Sequence, residues 1–173
     1  MVRIPQMRLF GSREWRLPPS KSHIIRWLAM VAQGESACLI KFYKSPGIDV
    51  DSMSECLQAM GLRVEEREGG WLVQPPEQGL SAPKTVLNCG NSGTAARVLS
   101  ALAATMDEEV RIDGDKSLRA RSSSLGRVLR DLGIEVDNDA LPVTVHGKMK
   151  GTATVDLSES SQPLSCLLYT SEA

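Results

Sequence analysis

The chain alternates between helical and β-type hydrophobic patterns. Four stretches place apolar residues three and four positions apart, which is the spacing of an amphipathic helix, although the first stretch matches it loosely. Each stretch therefore predicts a helix that buries one face. The four apolar stripes are Ile24, Ile25, Leu28 and Ala32; Met53, Cys56, Leu57 and Met60; Ala95, Val98, Leu99 and Leu102; and Leu125, Val128, Leu129 and Leu132.

Short β-like segments follow these helices. The first and third helices are each followed by one segment, and the second and fourth by two segments separated by a break, which is a hairpin pattern. The single segments are Ala37–Lys41 and Glu109–Ile112, and the hairpin segments are Leu62–Glu65 with Trp71–Val73 and Ile134–Val136 with Val143–Val145.

The order helix, strand, helix, hairpin thus occurs twice. Gly61 and Gly133, which fit the left-handed position after a helix, lie 72 residues apart. Arg26 and Arg97, each early in a helix, lie 71 residues apart. Two landmarks that agree to within one residue predict an internal duplication.

A third unit begins near the end of the chain. Thr152–Val155 has the pattern of a strand, and Ser160, Ser161 and Gln162 open the apolar run Leu164–Leu168. We therefore expect units at about 17–76, 83–147 and 151–173, with the last one incomplete. Since such units bury their surfaces against one another, we expect the chain to be part of a longer protein.

The second helix has a possible start signal. Ser52 and Glu55 have the spacing of a capping box. Asp49 and Asp51 lie just before them, and we interpret these two side chains as capping carboxylates rather than as a catalytic pair.

Composition narrows the classes of protein. The net charge is −1 and aromatic residues make up 4% of the chain, so neither a basic field nor a stacking platform favours nucleic acid. No apolar run approaches the roughly 20 residues of a membrane span, and the N-terminus has no signal-peptide pattern. The four cysteines form no C-x-x-C pair and His23 lies far from His146, which argues against a metal site. We expect a cytosolic enzyme.

Each unit opens a helix with a polar or glycine-rich segment. A helix start offers unpaired N–H groups and the positive end of the dipole, and therefore favours anions. If symmetry relates the units, three such starts meet on one face. The segments are Pro18–Arg26, Asn88–Arg97 and Ser158–Gln162.

Cations accompany these helix starts. Lys21 and Arg26 belong to the first, Arg97 follows the second, and Arg119 and Arg121 precede the fourth helix. Arginine recognises phosphate and carboxylate in a bidentate manner, and lysine supplies a point charge. Each motif alone is typical of a helix cap or of solvated surface charge. Their recurrence at one position of the repeat favours a surface for a small ligand with several anionic groups.

Four motifs together resemble the 5-enolpyruvylshikimate-3-phosphate (EPSP) synthases. Pro19–Ser22 with Arg26 is similar to that family's P-G-S-K-S-x-x-x-R segment. Asn91–Arg97 resembles G-N-A-G-T-A-x-R, Asp113–Arg121 resembles D-G…R-x-R-P, and Ser160–Gln162 resembles S-S-Q. The motifs occur in the family's order over nearly all of this chain, which matches less than half of a complete member.

The resemblance implies an α/β fold of repeated β-α-β-α-β-β units around a pseudo-threefold axis, with the helices inside and the sheets outside. The family has two such domains of three units each. Residues 17–173 would form part of one domain, about two and a fraction of its units, and residues 1–16 would belong to the other.

The resemblance also implies an activity. EPSP synthases transfer the enolpyruvyl group of phosphoenolpyruvate to the 5-hydroxyl of shikimate 3-phosphate and release phosphate, a step of the shikimate pathway to aromatic amino acids. They use no metal or organic cofactor, and glyphosate inhibits them in competition with phosphoenolpyruvate. By resemblance the full-length protein would be a cytoplasmic monomer that binds neither nucleic acid nor membrane. Without the second domain we expect little turnover from this chain.

The matched positions imply residue roles. Lys21 would contact both substrates and act in catalysis, while Ser22 and Arg26 would bind shikimate 3-phosphate, Arg26 at its carboxylate. Asn91, Gly93 and Arg121 would bind phosphoenolpyruvate.

The fourth motif, Ser160–Gln162, implies the remaining contacts. Ser160 and Ser161 would bind the phosphate of shikimate 3-phosphate, and Gln162 would lie against its ring and contact phosphoenolpyruvate. Arg97 matches a family arginine whose role would be either structural or ligand-binding.

The chain departs from the family pattern at several positions. Pro19 replaces a glycine, Ser92 an alanine, and Val98 and Ser122 replace prolines. We expect Ser92 to crowd the phosphoenolpyruvate site. Three alternatives stay open: the related transferase that acts on UDP-N-acetylglucosamine, a non-catalytic anion-binding module of the same fold, and an RNA-phosphate-processing protein, which the neutral charge disfavours.

Overall fold

The computed structural model describes residues 17–121, 125–156, 158 and 161–170. Six helices and seven strands alternate along this part of the chain. The helices are α1 (Lys21–Ala32), α2 (Ile48–Ala59), α3 (Gly93–Ala103), α4 (Lys116–Arg119), α5 (Leu125–Asp131) and α6 (Gln162–Leu168). The strands are β1 (Cys38–Lys41), β2 (Arg63–Arg67), β3 (Gly70–Gln74), β4 (Leu87–Asn88), β5 (Val110–Asp113), β6 (Glu135–Val136) and β7 (Val143–His146).

Two sheets carry the strands, and their order repeats. The first sheet has the order β1-β3-β2 and the second β4-β5-β7-β6, where only the β4–β5 pair is parallel. Cys38 pairs with Val73 in the first sheet, and Val110 pairs with Val145 in the second. Both differences, 110 − 38 and 145 − 73, equal 72, so the two sheets share one register.

The helices confirm this offset. α1 begins at Lys21 and α3 at Gly93, which is again a difference of 72. Gly61 and Gly133 follow α2 and α5 with φ values of +110° and +82°, as a left-handed helix end requires. The internal duplication predicted from the sequence is therefore confirmed.

The repeats differ at two places. The four-residue helix α4 lies between β5 and α5, whereas residues 42–47, all of which the structure describes, contain no helix between β1 and α2. β4 opens the second sheet, and the positions 72 residues before it, 15 and 16, lie outside the described residues.

The core lies between the sheets. α1 packs against α2 and α3; the first sheet covers α1 and α2, while the second covers α3 and α5. Leu28, Leu57 and Leu99 are completely buried, and each such side chain contributes about 1.5–3 kcal/mol when removed from water. None of the described helices is long and apolar enough to cross a membrane.

Two sequence predictions are wrong. The capping box places the start of α2 near Ser52, but α2 begins at Ile48 after Gly47, so Ser52 lies inside the helix. Thr152–Val155 has no regular secondary structure. A strand needs a neighbour to receive its backbone hydrogen bonds, and neither sheet of the described residues includes this segment.

Candidate functional site

The start of α1 presents a paired lysine. Lys21 is the first residue of the helix, and its Nζ lies 2.5 Å from Oδ2 of Asp49 in the first turn of α2. The Lys21 side chain is 63% exposed. An exposed ion pair contributes little stability, so an anionic ligand can compete for the ammonium group. The interpretation of Asp49 as a capping carboxylate is wrong: Gly47 caps α2, and Asp49 binds Lys21.

One turn further along α1, Arg26 connects the helix to α6. Its Nη1 donates to the carbonyl of Ser22 over 2.9 Å, and its guanidinium carbon lies 5.5 Å from the centre of the Tyr169 ring. Ser22 and Arg26 are half-buried. These two predicted ligand residues are thus adjacent on α1, and the arginine also contacts the segment that ends α6.

The start of α3 is formed by a tight loop against α2. Gly90 has φ +54°, and a Cβ there would lie 3.0 Å from Oγ of Ser52. Ser92 caps α3, because its Oγ accepts the N–H of Ala95 over 3.3 Å, and it is buried. The hydroxyl therefore lies within the helix start, which argues against the expected crowding of a bound ligand.

Gly93 lies against two arginines. A Cβ at this position would lie 3.1 Å from Nη1 of Arg97 and 3.8 Å from Nη1 of Arg121. Arg121 Nη2 also donates to Oδ1 of Asn91 and, over 3.4 Å, to Oγ of Ser117. The structure therefore brings together Asn91, Gly93 and Arg121, three of the five residues predicted for phosphoenolpyruvate.

The first arginine of the R-x-R pair, Arg119, has a different role from that of Arg121. Arg119 donates from Nε and Nη2 to the two oxygens of Asp113 over 2.8 and 2.6 Å. This bond, together with the N–H of Gly114, holds the pKa of the Asp113 carboxyl below its usual value. Asp113 thus neutralises Arg119, while Arg121 contacts a carboxamide and a hydroxyl, which are both uncharged.

The start of α6 is bound to the start of α3. Arg97 Nη1 donates to Oε1 of Gln162 over 2.7 Å and to the carbonyl of Gly93 over 3.1 Å. Ser161 is the exposed N-cap residue of α6 and makes no side-chain capping bond. Ser160, the other predicted phosphate ligand, lies outside the described residues.

A thiol between two arginines marks how closely α1, α3 and α6 approach. Burial raises the pKa of Cys166 on α6 to about 11, and the positive charges of Arg97 and Arg26 oppose that rise. Arg97 comes from α3 and Arg26 from α1, so one face of α6 is near cations from both helices.

The three polar helix starts therefore belong to one connected set of contacts. Lys21 of α1 binds Asp49 of α2, and Ser52 of α2 lies next to Gly90 in the loop before α3. Arg97 of α3 in turn binds Gln162 of α6. A cavity of about 60 Å³ lies beneath Gly93 and is lined mainly by apolar side chains of α3, α5 and the β6–β7 hairpin. Ligand pockets usually measure about 300–1,000 Å³, so this cavity by itself is too small to enclose a substrate.

Two positions were missed by the sequence analysis. Lys21 and Asp49, which form an ion pair, are 28 residues apart in the sequence. Arg26 and Tyr169, which are also in contact, are still farther apart in the sequence. Neither belongs to a local motif. Only the repeated arrangement of helix starts suggested that distant side chains would meet.

The fold and these contacts define a protein of repeated α/β units with a cation-bearing surface at its helix starts. The model of the family EPSP synthase (3-phosphoshikimate 1-carboxyvinyltransferase) matches residues 12–172. The chain belongs to that family, which confirms the resemblance and the fold class expected from the sequence.

Similar proteins agree with this placement. The 3-phosphoshikimate 1-carboxyvinyltransferase of Thermococcus kodakarensis is 38% identical over 161 residues, which cover 90% of this chain and 37% of the relative. That of Rhizobium etli is 39% identical over 174 residues, covering 95% and 40%. The chain thus spans somewhat more than a third of the length of these relatives.

Solved structures give the same result. The EPSP synthase of Acinetobacter baumannii matches with a TM-score of 0.79 and 27% identity, over 90% of this chain and 37% of that chain. The enolpyruvyl transferase NikO of Streptomyces tendae matches with a TM-score of 0.62 and 18% identity over 89% and 36%, which supports the fold alone.

Proposed function

We propose that this chain is part of an enzyme that transfers the enolpyruvyl group of phosphoenolpyruvate to the 5-hydroxyl of shikimate 3-phosphate. The hydroxyl oxygen bonds to C2 of phosphoenolpyruvate as its proton leaves, and C3 gains a proton. The tetrahedral adduct then loses a proton from C3 and the phosphate from C2. The oxidation state of the whole system does not change, and the catalytic demands are orientation, proton transfer and stabilisation of negative charge.

Phosphoenolpyruvate fits the surface formed by Asn91, Gly93 and Arg121. Arg121 offers a guanidinium whose partners here are uncharged, and an anion is a stronger acceptor than either of them. Gly93 leaves room for the approach, because a side chain there would meet the guanidinium groups. We infer that glyphosate, which is also a small anion with a phosphonate and a carboxylate, competes for this surface.

Shikimate 3-phosphate fits the surface between α1 and α6. Ser22 and Arg26 belong to α1, and Ser161 and Gln162 to the start of α6, while Ser160, the residue before them in the sequence, lies outside the described residues. The helix start and the hydroxyl groups suit a phosphate, and Arg26 suits the ring carboxylate.

Lys21 is the first residue of α1, directly before Ser22. Its ammonium group is exposed and is bound to Asp49. We propose that substrate anions replace this carboxylate and that Lys21 stabilises the negative charge of the adduct. Asp49 then sets the orientation from which the lysine meets the substrates.

One observation carries this proposal. Arg97 binds both Gly93 and Gln162, and so joins the second and fourth family motifs across 65 residues of sequence. Separate helix caps or solvated charges would not require such a connection.

Calorimetric titration of the 173-residue chain with shikimate 3-phosphate tests the proposal. Lys21→Met and Lys148→Met form a matched pair, since Lys148 is also an exposed lysine bound to an aspartate, Asp107, over 2.7 Å. Lys148 lies beyond the opposite end of α3. We expect Lys21→Met to weaken binding about tenfold, or about 1.4 kcal/mol, and Lys148→Met to leave it unchanged.

Three outcomes would contradict the proposal. Equal losses in both variants would indicate a non-specific charge effect. Binding of UDP-N-acetylglucosamine instead of shikimate 3-phosphate would favour the related transferase. Full ligand affinity in this chain, together with no enolpyruvyl transfer by any longer form of the protein, would favour a non-catalytic module.

A further inference from the structure

One face of α6 meets both arginines that flank it. Gln162, Cys166 and Tyr169 are spaced at i, i+4 and i+7, so they lie on one side of the helix. Gln162 accepts a hydrogen bond from Arg97, and the Tyr169 ring lies against Arg26. Cys166, between them, is near both positive charges. The side of α6 that faces α1 and α3 thus contacts cations rather than only apolar groups.

Tyr169 is held in place by the helix that carries Arg26. Gln33, directly after α1, donates its Nε2 to the carbonyl of Tyr169 over 2.8 Å and to the carbonyl of Ala29 over 2.9 Å. The N–H of Tyr169 also donates to the carbonyl of Ser165 over 3.2 Å. The backbone of Tyr169 is therefore fixed to α1 and α6 together, which sets the position of its ring relative to Arg26.

The contact suits an arginine that binds a ligand. The aromatic ring attracts the positive charge of the guanidinium, whose carbon lies 5.5 Å from the ring centre, and it forms no hydrogen bond with the N–H groups that bind anions. Arg26 is also bound at Nη1 by the carbonyl of Ser22 over 2.9 Å. The ring and the carbonyl together restrict a long side chain that would otherwise sample many rotamers.

We propose that Tyr169 is a positioning residue for Arg26, holding its guanidinium plane so that an edge faces the carboxylate of shikimate 3-phosphate. The role of Arg26 toward that ligand rests on the proposed function. Tyr169 lies seven residues after Gln162 and is outside the four motifs that the chain shares with the family. A restrained guanidinium loses less freedom when it binds, so the ring strengthens binding without contacting the ligand.

The first test uses the ligand-free chain. Nuclear magnetic resonance of the arginine Nε–H groups reports ring-current shifts and side-chain order in the wild type and in Tyr169→Phe and Tyr169→Leu. We expect the Arg26 signal to be shifted and ordered in the wild type and in the Phe variant, and to lose both properties in the Leu variant. Arg67, which binds Glu65 on β2, is the internal control and should not change.

The second test measures shikimate 3-phosphate binding by calorimetry. We expect Tyr169→Leu to weaken binding about three- to tenfold and Tyr169→Phe to change it less than twofold, since a cation–π contact depends on the ring and not on the hydroxyl. In an Arg26→Gln background, Tyr169→Leu should not weaken binding further, because Tyr169 acts on the ligand only through Arg26.

The outcomes separate this inference from the proposed function. If the wild-type chain binds no shikimate 3-phosphate, the proposed function of this chain fails, while the resonance series still decides whether Tyr169 orients Arg26. An unchanged Arg26 signal in Tyr169→Leu would overturn the inference, as would equal affinity losses with and without Arg26. If the Leu variant does not fold, Tyr169→Trp replaces it, and a larger Arg26 shift is then expected.

Discussion

The two repeats share a scaffold but obtain their cations differently. In the first, Lys21 and Arg26 belong to the helix whose start they flank. In the second, Arg97 likewise belongs to α3, but Arg121, which follows α4, also approaches Gly93, and residues 42–47 of the first repeat contain no counterpart of α4. The comparison teaches that a repeated backbone can keep its register while the chemistry at equivalent helix starts comes from different parts of the chain.

One pair of equivalent positions, Phe42 and Gly114, shows how packing makes the two repeats differ near their helix starts. Phe42 and Gly114 both follow the strand after the first helix of a unit and are 72 residues apart. Phe42 packs against Trp71, with their ring centres 5.3 Å apart. At Gly114, a Cβ would lie 2.8 Å from the carbonyl of Gly90. The second repeat therefore needs a glycine there, because the loop before α3 approaches the end of β5 closely.

The largest expected effect tests whether the two repeats share one core. Leu28→Ala in α1 and Leu99→Ala in α3 should each lower the free energy of unfolding by about 2–5 kcal/mol, since both side chains are completely buried. Urea denaturation followed by circular dichroism measures this loss. A loss below 1 kcal/mol in one variant alone would show that the two repeats do not depend equally on the core.

The next prediction concerns the close approach in the second repeat. Gly114→Ala should lower the free energy of unfolding by roughly 1–3 kcal/mol, because a backbone carbonyl must move to admit the Cβ. Gly34→Ala is the control, because Gly34 has no positive φ and a Cβ there would make only ordinary contacts, at 3.5 Å or more. Thermal unfolding compares the two variants. Equal stabilities would mean that the Gly90 loop adapts freely.

A third prediction separates the two arginines beside the second helix start. Arg121→Gln should weaken phosphoenolpyruvate binding about tenfold, equivalent to about 1.4 kcal/mol, whereas Arg119→Gln should change it less than threefold. The reason is that Asp113 already neutralises Arg119. Titration calorimetry on both variants provides the measurement, and the reverse order of effects would contradict the assignment of Arg121.

The smallest effect is a pH dependence specific to the second repeat. The folded state lowers the pKa of Asp113, mainly through Arg119, so its stabilising contribution is present above the unfolded pKa of about 3.9 and is lost as the pH falls through the folded pKa. The melting temperatures of wild type and Asp113→Asn should therefore converge below about pH 4. Because Arg119 is exposed, we expect a difference below about 1 kcal/mol at neutral pH. A gap that widens on acidification would contradict this origin.

Much of the fold follows from local patterns. The apolar stripes predicted α1 and α3, and the hairpin pattern predicted β2–β3 and β6–β7. These predictions succeeded because each element buries one face, and the spacing of its apolar residues shows which face that is. The start of α2 was misplaced because Ser52 and Glu55 imitate a capping box. α4 was not predicted, although Asp115, whose Oδ1 accepts the N–H of Leu118 over 2.7 Å, is a local capping signal.

The candidate site was predictable only in part. The four motifs supplied Lys21, Arg121 and Gln162, since their residue types suit anions at helix starts. The contacts of Asp49 with Lys21 and of Tyr169 with Arg26 could not be predicted. Both form through tertiary packing, which the spacing of residues along the chain does not reveal. Arg97 was matched by its motif, but its contact with Gln162 became evident only from the packing of α6 on α3.

The double attachment of Arg97 has a consequence for communication between the two halves of the surface. A ligand that moves Gln162 changes the hydrogen bond from Arg97 to the Gly93 carbonyl. A ligand that moves Gly93 changes the hydrogen bond from Arg97 to Gln162. By thermodynamic linkage, occupancy of either half then alters affinity at the other by the same factor. If the proposed function holds, a single guanidinium would thus make the binding of the two substrates interdependent.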